Sequence, residues 1–83
     1  MEFIFTPAAE EHFDALTSMY RRRIADKLRF FASQPDPLAF AEPLTGAATN
    51  AYRFRVGDYR VIFEVLHSAI WITAIKRRDE AYR

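Results

Sequence analysis

Tyr52-Arg53-Phe54-Arg55-Val56-Gly57-Asp58-Tyr59-Arg60-Val61-Ile62-Phe63-Glu64-Val65 decides how this chain folds. Up to Val56 the apolar residues fall on even positions and the arginines on odd ones, the period-two alternation of a strand with one buried face. Gly57-Asp58 reads as a tight turn, because glycine adopts the positive φ that a two-residue loop needs at its first position. A second strand follows at Tyr59. Pairing across that turn sets Val56 against Tyr59, Arg55 against Arg60 and Arg53 against Ile62, and parity then defines two faces. One face carries Tyr52, Phe54, Val56, Tyr59, Val61, Phe63 and Val65 and has to be covered. The other gathers Arg53, Arg55 and Arg60, with Glu64 nearby. Like charges placed directly opposite one another cost stability, so this second face either holds an anion or lies open to water.

Working outward towards the N-terminus, Glu2-Phe3-Ile4-Phe5 is a short β-branched and aromatic run, expected as a strand on the sheet's edge. Thr6-Pro7 opens a helix, with threonine as N-cap, proline at the first helical position, and Glu10 and Glu11 near the positive end of the dipole. That helix is expected to reach Leu16 and to turn Phe13 and Leu16 inward. Thr17-Ser18 caps a second helix, in which Tyr20, Ile24, Leu28 and Phe31 form one apolar stripe up to Ala32. The run Arg21-Arg22-Arg23 lies on its outer, solvated face, with Asp26 placed to pair with Arg22 or Arg23. Gln34-Pro35-Asp36-Pro37 ends the helix, and the segment up to Asn50 wraps the core through Leu38, Phe40 and Leu44.

Beyond the hairpin, His67-Ser68 reads as another two-residue loop, followed by a strand from Ile70 to Lys76. Unbroken parity places Ile70, Ile72 and Ala74 on the covered face and Trp71, Thr73, Ile75 and Arg77 on the arginine face, with Arg78 pointing away. A β-bulge would exchange those assignments. The predicted fold class is α+β: two antiparallel N-terminal helices on one face of a mostly antiparallel sheet of about four strands, the other face open.

At 83 residues, without repeats or a linker, residues 1–83 form one domain. The 51% hydrophobic and 16% aromatic content argues for a packed core and against disorder. The absence of cysteine excludes disulfides and thiolate metal sites and fits a cytoplasmic protein. No run approaches the ~18 apolar residues of a membrane span, and the N-terminus lacks a signal-peptide pattern, so no membrane association is expected. Residues 1–50 hold five basic and seven acidic side chains and residues 51–83 hold seven and four, so a polyanion would dock on the C-terminal part. Ten of the twelve basic residues are arginines, whose planar fork suits phosphate. The cationic sheet face is equally consistent with an RNA-binding surface and with an ordinary solvated face.

The helix pair, Pro43-Leu44-Thr45-Gly46, the segment Tyr52 to Val65, and the ending Lys76-Arg77-Arg78-Asp79-Glu80-Ala81-Tyr82-Arg83 together resemble the RelE/ParE superfamily of type II toxins over nearly the whole chain. Within it, resemblance to the RelE branch implies an endoribonuclease that cuts mRNA in the ribosome, inhibits translation and is neutralised in a hetero-oligomer with a cognate antitoxin. It implies Arg60, Arg77 and Tyr82 as catalytic residues and Arg53, Arg55 and Arg78 as RNA-binding residues. The ParE branch, which inhibits DNA gyrase without cutting RNA, is the alternative. No metal or cofactor is expected, since His12 and His67 lie far apart and the acidic residues have no ligand spacing. Arginine and tyrosine titrate far from neutrality, so the expected site lacks an obvious proton shuttle.

Overall fold

The computed structural model describes residues 1–46 and 50–78. Its elements run β1 (Glu2–Phe5), α1 (Pro7–Asp14), α2 (Ser18–Ala32), a 3-10 turn (Pro37–Phe40), β2 (Glu42–Pro43), β3 (Ala51–Val56), β4 (Tyr59–Leu66) and β5 (Ala69–Arg77). The strands form one five-stranded sheet in the order β1-β5-β4-β3-β2. The sheet is mixed, because β1 pairs parallel with β5 while every other neighbour is antiparallel.

The central hairpin pairs as its alternation requires, with Val56 opposite Tyr59, Arg55 opposite Arg60 and Arg53 opposite Ile62. Gly57 has φ +59, and a Cβ there would sit 3.6 Å from an Arg23 guanidinium nitrogen, so backbone conformation more than crowding selects glycine. The β4–β5 loop is also two residues, His67 and Ser68, both at positive φ (52 and 62), the backbone of a turn that matches strand twist.

Thr6 caps α1 by accepting from the Ala9 N–H, with Pro7 opening the helix. The helix stops at Asp14, two residues short of the expected end. In α2 the stripe reads as expected: Ile24, Leu28 and Phe31 are buried, and Tyr20 is packed against the core. Asp26 pairs one turn forward with Arg29, not back with Arg22 or Arg23.

Both helices cover the face made by the apolar residues of the hairpin. Phe54 lies at its centre, fully buried, with ring centroids 4.3 Å from Phe31, 4.5 Å from Phe63 and 6.0 Å from Phe3. That stack joins α2, β1 and the hairpin through one side chain. Phe5 meets Phe13 edge-on at 5.6 Å, which fastens α1 to β1.

Two features depart from the four-stranded expectation. The first is β2, two residues long, which adds to the free edge of β3 with Glu42 opposite Arg53 and Pro43 opposite Tyr52. Proline is tolerated there because an edge strand needs no donor on its outer side. The second is a β-bulge in β5: Phe63 pairs with Ile72 and Ile62 with Ala74, leaving Thr73 as the extra residue. The Thr73 hydroxyl donates to the Ile62 carbonyl at 3.3 Å.

The bulge reverses side-chain parity beyond Thr73. Ile75, expected on the open face, instead lies opposite Val61 and is buried at 7% exposure, and Ala74 moves to the open side. Beyond Ile72, where β1 has ended, His12 on α1 takes the place of a strand: its Nδ1 accepts from the Ile75 N–H at 3.1 Å. Removing that acceptor with His12→Ala leaves the N–H without its partner. The expected loss is about 1–3 kcal/mol in urea denaturation, with an unchanged denaturant slope.

Candidate functional site

The face opposite the helices collects the remaining charge of the sheet. On β3 it carries Arg53 and Arg55, on β4 Arg60, Ile62 and Glu64, and on β5 Trp71 before the bulge and Lys76 after it. Arg60 stands between Arg55 on one neighbour and Lys76 on the other. Three cations abreast on adjacent strands repel one another.

One carboxylate offsets part of that repulsion. Glu42, on the edge strand, places Oε1 2.9 Å from the Arg55 Nε and Oε2 3.5 Å from an Arg53 terminal nitrogen. Its two oxygens thus lie between two guanidinium groups, an arrangement that equally suits two oxygens of a phosphate. The Arg53 Nε is buried without a hydrogen-bond partner, so this guanidinium keeps unused donor capacity. Arg55 is the accessible member, its side chain 52% exposed against 20% for Arg53.

Arg60 differs from both. It is 5% exposed and held by an interaction of its own. A guanidinium this buried contributes its field to the face rather than a freely reachable fork. Arg60→Ala therefore removes a core-like side chain as well as a charge, and its effect on activity would be mixed with its effect on the fold.

Arg77 does not point at the cluster. The bulge puts it opposite Tyr59, on the helix side, and brings Lys76 to the arginine face. Arg78 lies just past the end of the strand, where its backbone N–H donates to the Asp58 carbonyl at 2.7 Å. Tyr82 lies outside the described residues. Glu42 and Lys76 are the members that sequence reading missed. Lys76 was hidden by the bulge, and Glu42 by a strand too short to show periodicity. Its position immediately before Pro43-Leu44 was the available signal.

Among the described residues, no group of three histidine or acidic side chains could hold a metal ion. No helix among them is long and apolar enough to cross a membrane.

Comparison with known proteins identifies the chain at the level of family. The model of the ParE toxin of the type II toxin-antitoxin system, parDE, matches residues 3–82. The structure superposes on the toxin of the RelB-RelE antitoxin-toxin complex from Methanococcus jannaschii with a TM-score of 0.76 at 21% identity, covering 95% of this chain and 94% of that one. The isolated E. coli RelE toxin gives 0.73 at 21% identity over 98% and 89%, and the archaeal RelE-RelB complex from Pyrococcus horikoshii OT3 gives 0.68 at 26% over 93% of each chain. No curated protein sequence gives a significant match. With a family model spanning nearly its whole length and a RelE-like sheet beneath two helices, the chain belongs to the RelE/ParE superfamily of type II toxin-antitoxin toxins.

Proposed function

We propose that this toxin is a metal-independent endoribonuclease that cuts mRNA on the ribosome and is neutralised by a cognate antitoxin. The observation that carries this reading is the pair Arg53 and Arg55, sharing one carboxylate on a sheet face that neither helix covers. Solved RelE toxins of the same fold occur in complexes with RelB antitoxins, which supports a protein partner for this chain too.

The proposed chemistry is attack of a ribose 2′-OH on the adjacent phosphate, which forms a 2′,3′-cyclic phosphate as the P–O5′ bond breaks and the 5′-oxygen leaves, taking a proton from solvent. Negative charge grows on the non-bridging oxygens, and preorganised cations lower that barrier most. Arg55 and Arg53 bind the phosphate, Arg60 supplies positive potential from beneath, and Lys76 and Arg78 take the place first expected of Arg77. Tyr82 remains a proposed stacking or proton-transfer residue. Glu42, whose two oxygens lie beside the Arg53 and Arg55 guanidiniums, is the proposed acceptor of the 2′-hydroxyl proton once phosphate displaces it from them.

Inhibition of DNA gyrase, the alternative that the ParE branch offers, is the second and less supported reading, since the solved structures most like this chain include RelE toxins. A first experiment separates either toxin reading from an inert binding protein. Expression without antitoxin is expected to arrest growth, and Arg55→Glu to relieve the arrest with an unchanged far-ultraviolet dichroism spectrum. Unimpaired growth of cells accumulating the wild-type protein would dismiss both readings.

A further inference from the structure

The cationic cluster occupies only one end of the open sheet face. At the other end β4 carries Glu64, and its direct neighbour on β5 is Trp71. Trp71 precedes the bulge, so it keeps the open-face parity that Ile75 and Arg77 lose. Its ring is half-buried, and its indole N–H donates to the Leu66 carbonyl at 3.3 Å, which fixes its orientation at the sheet's end. Ile4 of β1 lies on the other side of Trp71, opposite it in register. No described ion pair engages the Glu64 carboxylate.

The two ends therefore offer different chemistry. Phosphate needs cations, and it finds Arg53, Arg55 and Lys76 at the first end. At the second, the direct neighbours of Glu64 and Trp71 across the sheet are the uncharged Ala51 and Ile4, and Glu64 would repel phosphate. An aromatic ring beside an unengaged carboxylate suits a nucleobase instead: the ring stacks on any base, and the carboxylate accepts from an exocyclic amine such as cytosine N4. The separation fits a single strand. Arg60 and Glu64 are four positions apart on β4, about 13 Å at ~3.3 Å per residue. At the ~3.4 Å step of a stacked strand this is at most about four nucleotides, and fewer when the bases splay.

We propose that Trp71 and Glu64 form a base-binding subsite for one unpaired nucleobase bearing an exocyclic amine, within about four nucleotides of the phosphate held by Arg53 and Arg55. The inference rests on the reading of this face as RNA-binding and adds selectivity among bases to it.

Trp71 is the sole tryptophan of the chain, so its fluorescence reports on the subsite directly. The test titrates the purified protein with cytidine and uridine RNA hexamers, following Trp71 emission and, in parallel, the anisotropy of end-labelled hexamers. Expected are a change in Trp71 emission and binding of the cytidine hexamer about 5-fold or more tighter than the uridine hexamer. Glu64→Gln should bring the two hexamers towards equality, because an amide serves uracil O4 as well as cytosine N4. Arg55→Ala should weaken both hexamers alike. Hexamer binding that leaves Trp71 emission unchanged, equal affinity for the two hexamers, or no hexamer binding would each overturn the subsite. So would an emission change produced by antitoxin but not by RNA, which would give the ring to a protein interface. Cleavage of mRNA on ribosomes, measured with the same preparations, keeps the two readings apart: if cleavage persists while Trp71 stays silent, only the subsite falls.

Discussion

Phe54→Ala is expected to lower the unfolding free energy by about 3–5 kcal/mol, the cost of removing a buried phenylalanine whose surroundings cannot collapse into the space. Collapse is restricted because its ring touches three different elements: Phe31 from α2, Phe63 from β4 and Phe3 from β1. At ~0.05–0.15 kcal/mol per residue a domain of this size holds only about 4–12 kcal/mol in total. The variant should consequently lose a large share of its stability, read as a lowered urea midpoint. Arg55→Ala provides the contrast, since a half-exposed ion pair is worth at most ~1 kcal/mol. A midpoint for Phe54→Ala within experimental error of wild type would mean that the aromatic stack does not hold sheet and helices together.

Glu42→Gln is expected to have the largest effect on activity that leaves the fold intact. The amide keeps the shape of the side chain, which is half-exposed on the edge strand, so stability should scarcely change. If the carboxylate accepts the 2′-hydroxyl proton, cleavage should slow by about 10²–10⁴-fold. Phosphate binding should be unchanged or tighter, because the substitution removes the anion that competes for Arg53 and Arg55. Single-turnover cleavage at saturating toxin separates the two effects. Full activity with tighter binding would reduce Glu42 to a placeholder for phosphate and leave the site without a general base.

Much of this geometry could be read from the chain before its structure. The alternation from Tyr52 to Val65 sets the strand register, and Gly57 leaves the hairpin a single economical turn. The α2 stripe and the Thr6-Pro7 opening are equally local, each encoded within a few residues. What escaped is non-local. The bulge at Thr73 carries no glycine or proline to betray it; the Ile75 N–H bonded by His12 and the burial of Ile75 hold it from outside the strand. A shift of one residue then exchanged Lys76 for Arg77 at the cationic face. The burial of Arg60 was hidden for a related reason, since parity gives the side of a sheet but not the depth beneath its neighbours. Glu42 depends on an edge pairing of two residues, which no periodicity can announce.

The central claim is that the cations of this open sheet face act on mRNA. It is tested most directly by incubating the purified toxin with ribosomes carrying a defined mRNA and mapping the 3′ ends, with DNA supercoiling by gyrase followed in parallel. The account predicts a discrete cut in the ribosome-bound message, loss of that cut with Arg55→Ala, and gyrase activity that the toxin leaves unchanged. An intact message together with inhibited supercoiling would contradict it and give the arginine face to a protein target.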